Sequence, residues 1–216
     1  MTGFFFSFDG IDGVGKTTQM DLLGQWLEAQ GHDVVQCRDP GGTSLGEALR
    51  EIVLHKTEHS IGAVAELLLY MSSRAQLVEE VIRPAIAAHR TVISDRFLLS
   101  NVAYQGHAGG VAVDDAWQVG WVATGGLSPC LTFVLDMPVE RASSRLTREL
   151  DRMESRGPDF LNRVRKGFLN EARQHPDSFI VIDADRTIDE IQTDIRSAAK
   201  RVLQTPLDEH LGEVQP

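Results

Sequence analysis

Gly10-Ile11-Asp12-Gly13-Val14-Gly15-Lys16-Thr17 fits the pattern G-x-x-x-x-G-K-[ST] without a gap. An apolar run, Phe4-Phe5-Phe6-Ser7-Phe8, leads into it. An amphipathic stretch with Met20, Leu22, Leu23, Trp26 and Leu27 on one side follows, and Gly31 stops it. A strand that feeds a glycine loop opening a helix aims several backbone N–H groups and the positive end of a helix dipole at one point. Lys16 adds a mobile cation suited to β- and γ-phosphates, and the Thr17 hydroxyl suits a magnesium ion. A strand-turn-helix that merely needed tightness would not ask for Lys followed by Thr. The segment from Gly10 through Val14 and Gly15 to Thr18 is therefore read as a nucleotide phosphate cradle.

Outward from this loop, strand-like and helix-like segments alternate. The sequence predicts strands at Phe4–Phe8, Val34–Cys37, Thr91–Ser94, Leu131–Leu135 and Phe179–Ile182. Helical patterns lie at 17–30, at 44–54 with Ser44 as cap and Glu47 completing a capping box, and at 63–89, broken near its end by Pro84. Others lie at 98–105, 111–124, 160–174 and 188–203, and Pro138 suits a further helix start. Five short apolar strands separated by helices predict an α/β fold, a parallel sheet with helices on both faces. In such sheets ligands bind beyond the carboxyl ends of the strands. The glycine loop, Arg38-Asp39 and Asp95-Arg96 all fall there.

The chain has 216 residues, 42% hydrophobic and 24% charged, which suits one domain with a large core. No uncharged apolar stretch approaches the roughly 20 residues of a membrane span. Met1-Thr2-Gly3 runs straight into the first strand, with no basic leader. Cys37 and Cys130, the two cysteines, sit in or beside apolar runs and read as reduced core thiols, so a cytoplasmic location is expected. A net charge of −10 argues against a nucleic-acid surface. Between Arg141 and Lys166, however, eight basic residues face four acids, a local surplus that suggests a small concentrated anion as partner. Arg145, Arg148, Arg152 and Arg156 recur at three- and four-residue steps, which predicts one stripe of a helix; a solvated helix of ion pairs such as Arg145 with Glu149 is the plainer alternative. His55 and His59 form the one i,i+4 histidine pair, without companions for a metal site, and the acidic segment 204–216 is expected to be disordered.

A phosphate loop does not by itself separate a kinase from a GTPase. N-K-x-D is absent, and Asp136-Met137-Pro138-Val139 is not a D-x-x-G switch. Four segments in order decide the matter: Asp9 through Thr18, Arg38-Asp39-Pro40-Gly41-Gly42-Thr43, Asp95-Arg96-Phe97, and Ser100-Asn101-Val102-Ala103-Tyr104-Gln105-Gly106. From about Phe4 to Leu203 the chain resembles the thymidylate kinases of bacteria, with Asp39 for the usual Glu and Phe97 for the usual Tyr or His.

That resemblance implies a single P-loop kinase domain over 1–203 with a short lid at about 141–157, acting on ATP and dTMP with magnesium. Another nucleoside monophosphate or a deoxynucleoside as acceptor is the alternative. It further implies that Gly10, Ile11, Asp12, Gly13, Val14, Gly15, Lys16, Thr17 and Thr18 hold ATP, and that Thr17 and Asp95 attend the metal. Lys16, Arg96 and the lid arginines Arg148 and Arg152 would be catalytic, since Gly13 stands where some relatives place an arginine in the loop. Tyr70 would stack on thymine and Arg74, four residues on, would reach its O4. Asn101 and Gln105 would bond the base edge, Tyr104 would lie beneath the sugar, Asp39 would order the acceptor phosphate or the 3′-OH, and Asp9 would make a contact near the 3′-OH. A homodimer through helices on one side of the sheet is implied as well.

Overall fold

The computed structural model describes residues 3–55 and 60–204. The central strand, β1 (Phe5–Asp9), is buried along its whole length. Its side chains alternate between faces: Phe5 meets Phe97 edge-on at 5.0 Å on one face, while Phe6 and Phe8 pack on Phe133 at 6.0 and 4.9 Å on the other. Each such phenylalanine, removed from water, contributes about 1.5–3 kcal/mol. Two hydrophobic clusters thus share one sheet, as a layer covered on both sides requires.

The remaining strands are β2 (Val34–Arg38), β3 (Thr91–Asp95), β4 (Leu131–Asp136) and β5 (Phe179–Asp183). All pair in parallel, in the order β2-β3-β1-β4-β5. The register sets Phe8 opposite Asp95 and Arg38 opposite Asp95, so the loops after β1, β2 and β3 open at one edge. The five-stranded parallel sheet expected from the sequence is the one observed, and the glycine loop joins β1 to α1 (Lys16–Ala29) at that edge. Cys37 and Cys130 are unpaired thiols, and burial pushes Cys37 up to about 11.

The helices follow the expected positions with instructive differences. α2 (Ser44–Leu54) is capped by Thr43, whose hydroxyl accepts from Gly46 N at 2.9 Å, one residue earlier than the Ser44 cap; Glu47 accepts from Gly42 N at 2.7 Å. The helical run from Ala63 is not continuous. α3 (Ala63–Leu77) passes into a π-helical turn at Val78–Ile82 before α4 (Arg83–Ala87), where Pro84 supplies no N–H to an α-helical ladder. α5 (Leu98–Asn101) likewise widens into a π-turn at Val102–His107, which carries Tyr104 and Gln105. α6 (Val113–Thr124), α8 (Pro158–Gln174) and α9 (Ile188–Gln204) complete the cover.

The predicted lid helix is not formed. α7 (Val139–Ser144) ends before Arg145, and the only helical turn up to Arg156 is a 3₁₀ turn at Glu154–Arg156. Asp151 Oδ1 accepts from the N–H groups of Met153 and Glu154 at 2.8 Å, and Glu154 Oε2 accepts from Asp151 N at 2.8 Å. This reciprocal cap starts a turn at residue 151 and forbids a helix running into it. The segment expected as a lid is a bent strap. Arg148 pairs through both terminal nitrogens with Glu154, in place of the anticipated helical ion pairs. His59 and residues 205–216 lie outside the described residues.

Candidate active site

The glycine loop is moulded by what lies behind it. Gly13 has φ +87°, and a Cβ there would stand 2.1 Å from the Ala142 carbonyl of α7. The loop backbone presses on α7 so closely that a larger residue at 13 has no space. Gly15, also left-handed at φ +95°, turns the chain into α1.

Lys16 is buried. Its Nζ donates to the carbonyls of Gly10 (3.1 Å) and Ile11 (3.0 Å) and to Asp12 Oδ1 (3.3 Å). The same Asp12 oxygen accepts from Arg96 at 2.7 Å, so a single carboxylate joins the loop lysine to the arginine after β3. Burial alone would raise the Asp12 carboxyl, but Arg96 and Lys16 hold it well below the usual carboxylate range. Lys16 is pushed down by burial and by Arg96 beside it. Arg96 also donates to Gly10 O (2.8 Å) and Ser100 Oγ (3.0 Å), and its guanidinium carbon lies 5.2 Å from the Tyr104 ring centre.

Arg96 adopts φ +68°, a conformation costing a non-glycine residue about 1–3 kcal/mol. Ser94 Oγ donates to its carbonyl at 2.7 Å and its own N–H donates to Phe8 O at 2.8 Å, which fixes the strained residue against β1. The result aims the guanidinium across the sheet edge at the loop. Neighbouring Asp95 carries a buried carboxylate oxygen, Oδ1, without a hydrogen-bond partner.

Asp12, Thr17, Arg96 and Tyr104 line a cavity of about 410 Å³ together with Asp39, Tyr70, Arg74, Asp95, Asn101 and Gln105. Sequence-distant groups named from the motifs therefore converge. Arg74 is fully buried. Its Nε donates to Asp39 Oδ2 at 2.5 Å, Nη1 donates to Met71 Sδ, and Nη2 donates to both Phe97 O and Asn101 Oδ1. Asn101 Nδ2 donates to Gln105 Oε1 at 2.6 Å. Asp9 does not line the cavity. Ser7 and Ser100 donate to its two oxygens, and burial pushes its carboxyl up. Within the segment Asp9–Thr18, Asp12 is the carboxylate that faces the space. Of the two lid arginines, Arg148 lines the cavity and Arg152 does not.

Two residues had roles the motifs did not reveal. One is the side chain of Asp12, anticipated only as part of the loop. The other is Glu66, buried on α3 and receiving Gln105 Nε2 at 2.8 Å. A visible signal existed for Glu66, which precedes Tyr70 by four residues and so shares its inward helix face.

A larger cavity of about 680 Å³ lies at the amino-terminal edge of β4 and β5, walled by Trp117, Trp121 and Phe179. It holds neither the glycine loop nor its cations. Among the described residues no helix is long and apolar enough to cross a membrane.

A glycine loop that lends Asp12 and Thr17 to one cavity, an arginine opposite them, and a buried lysine behind the cavity wall on the same Asp12, all at the carboxyl edge of a parallel sheet, define a P-loop phosphotransferase. The family model described as thymidylate kinase matches residues 8–195. The thymidylate kinase of Kosmotoga olearia is 43% identical over 193 residues, 88% of this chain and 92% of that protein. That of Bifidobacterium longum subsp. infantis is 42% identical over 217 residues, 99% and 91% of the two chains. The crystal structure of thymidylate kinase from Ehrlichia chaffeensis superposes with a TM-score of 0.75 at 29% identity, covering 92% of this chain and 99% of that one. The chain belongs to the thymidylate kinase family, ATP-dependent phosphotransferases that convert dTMP to dTDP.

Proposed function

We propose that the chain transfers the ATP γ-phosphoryl group to dTMP in this cavity, with the donor phosphates on the glycine loop and the acceptor between Arg96 and α3. The observation that carries the reading is the Lys16–Asp12–Arg96 bridge, which holds a donor-side and an acceptor-side cation a few ångströms apart. The attacking oxygen belongs to a phosphate ester with a second pKa of about 6, so at pH 7 it is largely anionic and requires no strong base. The work is to bring two anions together and to spread charge in the transition state. A site of cations and amides meets that need.

In this reading the amides from Gly10 to Thr18 cradle the ATP phosphates and Lys16 moves from the loop carbonyls onto them. Arg96 holds the acceptor phosphate, and Asp9 acts indirectly by fixing Ser100, which accepts from Arg96. Tyr70 supplies the stacking ring, Arg74 reaches O4, and Asn101 and Gln105 read the base edge with the hydrogens and lone pairs their mutual bond leaves free. Tyr104 underlies the sugar, and Asp12 or the unpartnered Asp39 Oδ1 accepts from the 3′-OH. Arg148, on the cavity wall, is the lid cation for the transferring group.

The residues present fit magnesium. Asp95 offers a buried carboxylate oxygen without a partner, and Thr17 lines the same cavity. Few protein ligands are required, because magnesium is commonly held by one or two carboxylates together with substrate phosphates. When bound, the ion would neutralise part of the phosphate charge.

A homodimer is supported by exposed apolar side chains, Leu45 and Ile52 on α2 and Val64 and Leu68 on adjacent α3. A cytoplasmic location accords with reduced thiols.

Initial rates with ATP and magnesium across dTMP, dUMP, CMP and thymidine test the reading. dTMP should show the highest kcat/KM. A higher value for CMP or thymidine would overturn the assigned acceptor.

A further inference from the structure

Resting on the acceptor-site reading above, we infer that Glu66 is a positioning residue that ties the lid to the base-reading side chains, so that the occupant of the acceptor site controls how the lid is seated.

The inference comes from one uninterrupted run of contacts. Asp39 receives Arg74, Arg74 donates to Asn101 Oδ1, Asn101 donates to Gln105 Oε1 at 2.6 Å, and Gln105 donates to Glu66 Oε1 at 2.8 Å. Every donor in the middle of the run points the same way, from the Arg74 cation to the Glu66 carboxylate. Hydrogen bonds aligned in this manner strengthen one another in a low-dielectric interior. Glu66 Oε2 then forms an ion pair with Arg152 at 2.6 Å, and Arg156 lies 4.0 Å from its other oxygen. Arg152 in turn donates from Nε to Val53 O at 2.7 Å and from its backbone to Leu54 O at 2.9 Å, a cation on the last carbonyls of α2.

The lid thus has one firm footing beside the cavity, made by Arg152 on Glu66 and the end of α2. Arg148 stands four residues earlier in the same strap, on the cavity wall. Any nucleotide that draws Arg74 or Asn101 toward its base alters the bond that Gln105 makes to Glu66. It thereby alters the footing from which Arg148 is presented. On this account Arg152 acts through position, without touching the transferring group.

The test is limited trypsinolysis of the lid, cut at Arg145, Arg148, Arg152 and Arg156 and followed by mass spectrometry, without ATP and with saturating dTMP. In the unaltered enzyme dTMP should slow lid cleavage by about tenfold, a typical coupling between two linked sites. Glu66→Gln removes the charge that holds Arg152, and Gln105→Leu interrupts the run while leaving that charge in place. Both should reduce the protection to within about twofold of none. A kinetic cycle supplies a second readout. Glu66→Gln and Arg152→Met should each lower kcat, and the double variant should be no slower than the worse single, since both remove the same tie. Protection that survives in both variants would mean that the nucleotide seats the lid by direct contact, and would overturn the inference. Multiplying losses in the cycle would overturn it too. Failure of the unaltered enzyme to bind dTMP removes the acceptor-site reading and this inference together, whereas binding without lid protection removes the inference alone.

Discussion

Arg74→Met exposes the energetics on which the proposed acceptor site rests. The side chain keeps an unbranched apolar stem and loses its guanidinium, and the environment it leaves is unforgiving. Asp39 is 2% exposed, Arg74 itself 1%, and the second Asp39 oxygen already lacks a partner. Removing one member of a buried pair strands the other, at a cost of about 3–5 kcal/mol. For a chain of this size each kcal/mol lowers the melting temperature by about 2–4 °C, so a fall of about 6–20 °C is expected at pH 8. The pH dependence has a definite sign. Burial already pushes the Asp39 carboxyl above its ordinary 3.8, and Arg74 opposes that push. Without Arg74 the native carboxyl rises further and holds a proton that the unfolded chain releases, so the variant loses stability as pH rises and the deficit shrinks toward pH 5. Asp39→Asn on the same background needs no counter-charge and should recover at least about half of the loss. Differential scanning fluorimetry of the two singles and the double across pH 5–8 measures all of this. A fall below about 3 °C at pH 8, or a double variant no better than Arg74→Met, would refute the claim that these residues form a closed pair.

Three further outcomes follow from the cavity. Arg148→Ala should lower kcat by about 10²-fold, as for other cations facing a transition state, with dTMP affinity within about threefold in steady-state and binding assays. Gly13→Ala should strain the loop by about 1–3 kcal/mol, lowering the melting temperature by about 2–12 °C, and should raise KM for ATP, because its Cβ meets the Ala142 carbonyl. Tyr104→Ala should relax the preference for deoxyribonucleotides, measured as the kcat/KM ratio of dTMP to its ribose counterpart; an unchanged ratio would remove the sugar-sensing role.

The sheet was readable because each strand is a short apolar run and each loop after it is polar or glycine-rich, a contrast that needs no tertiary information. The convergence of Asp39, Arg74 and Tyr104 was readable through the fold, since a parallel sheet collects its loops at one edge. Asp9 misled because adjacency to the glycine loop said nothing of which strand face it occupies. The observed side chain turns to Ser7 and Ser100, and Asp12 takes the cavity position. The two π-turns were not readable, because a widening confined to one turn shifts the apolar spacing at too few positions to stand out from an α-helical pattern.

The lid shows where periodicity fails outright. Arginines at 145, 148, 152 and 156 satisfy a helical stripe, yet a stripe describes a helix only if nothing local competes. Asp151 and Glu154 do compete: three residues apart, they cap one another's backbone and begin a turn between the second and third arginines. The bend sends Arg148 to the cavity and Arg152 to Glu66 and the end of α2, so residues that look equivalent in sequence receive different partners. That division has a structural reason upstream. Gly13 lies against the Ala142 carbonyl with no room for a side chain, so position 13 of the loop cannot carry an extra cation. On the proposed reading, a positive charge for the transferring group then comes from a separate segment of chain, and a separate segment needs an anchor. Arg148 on the cavity wall and Arg152 on Glu66 are placed to divide those two requirements between them.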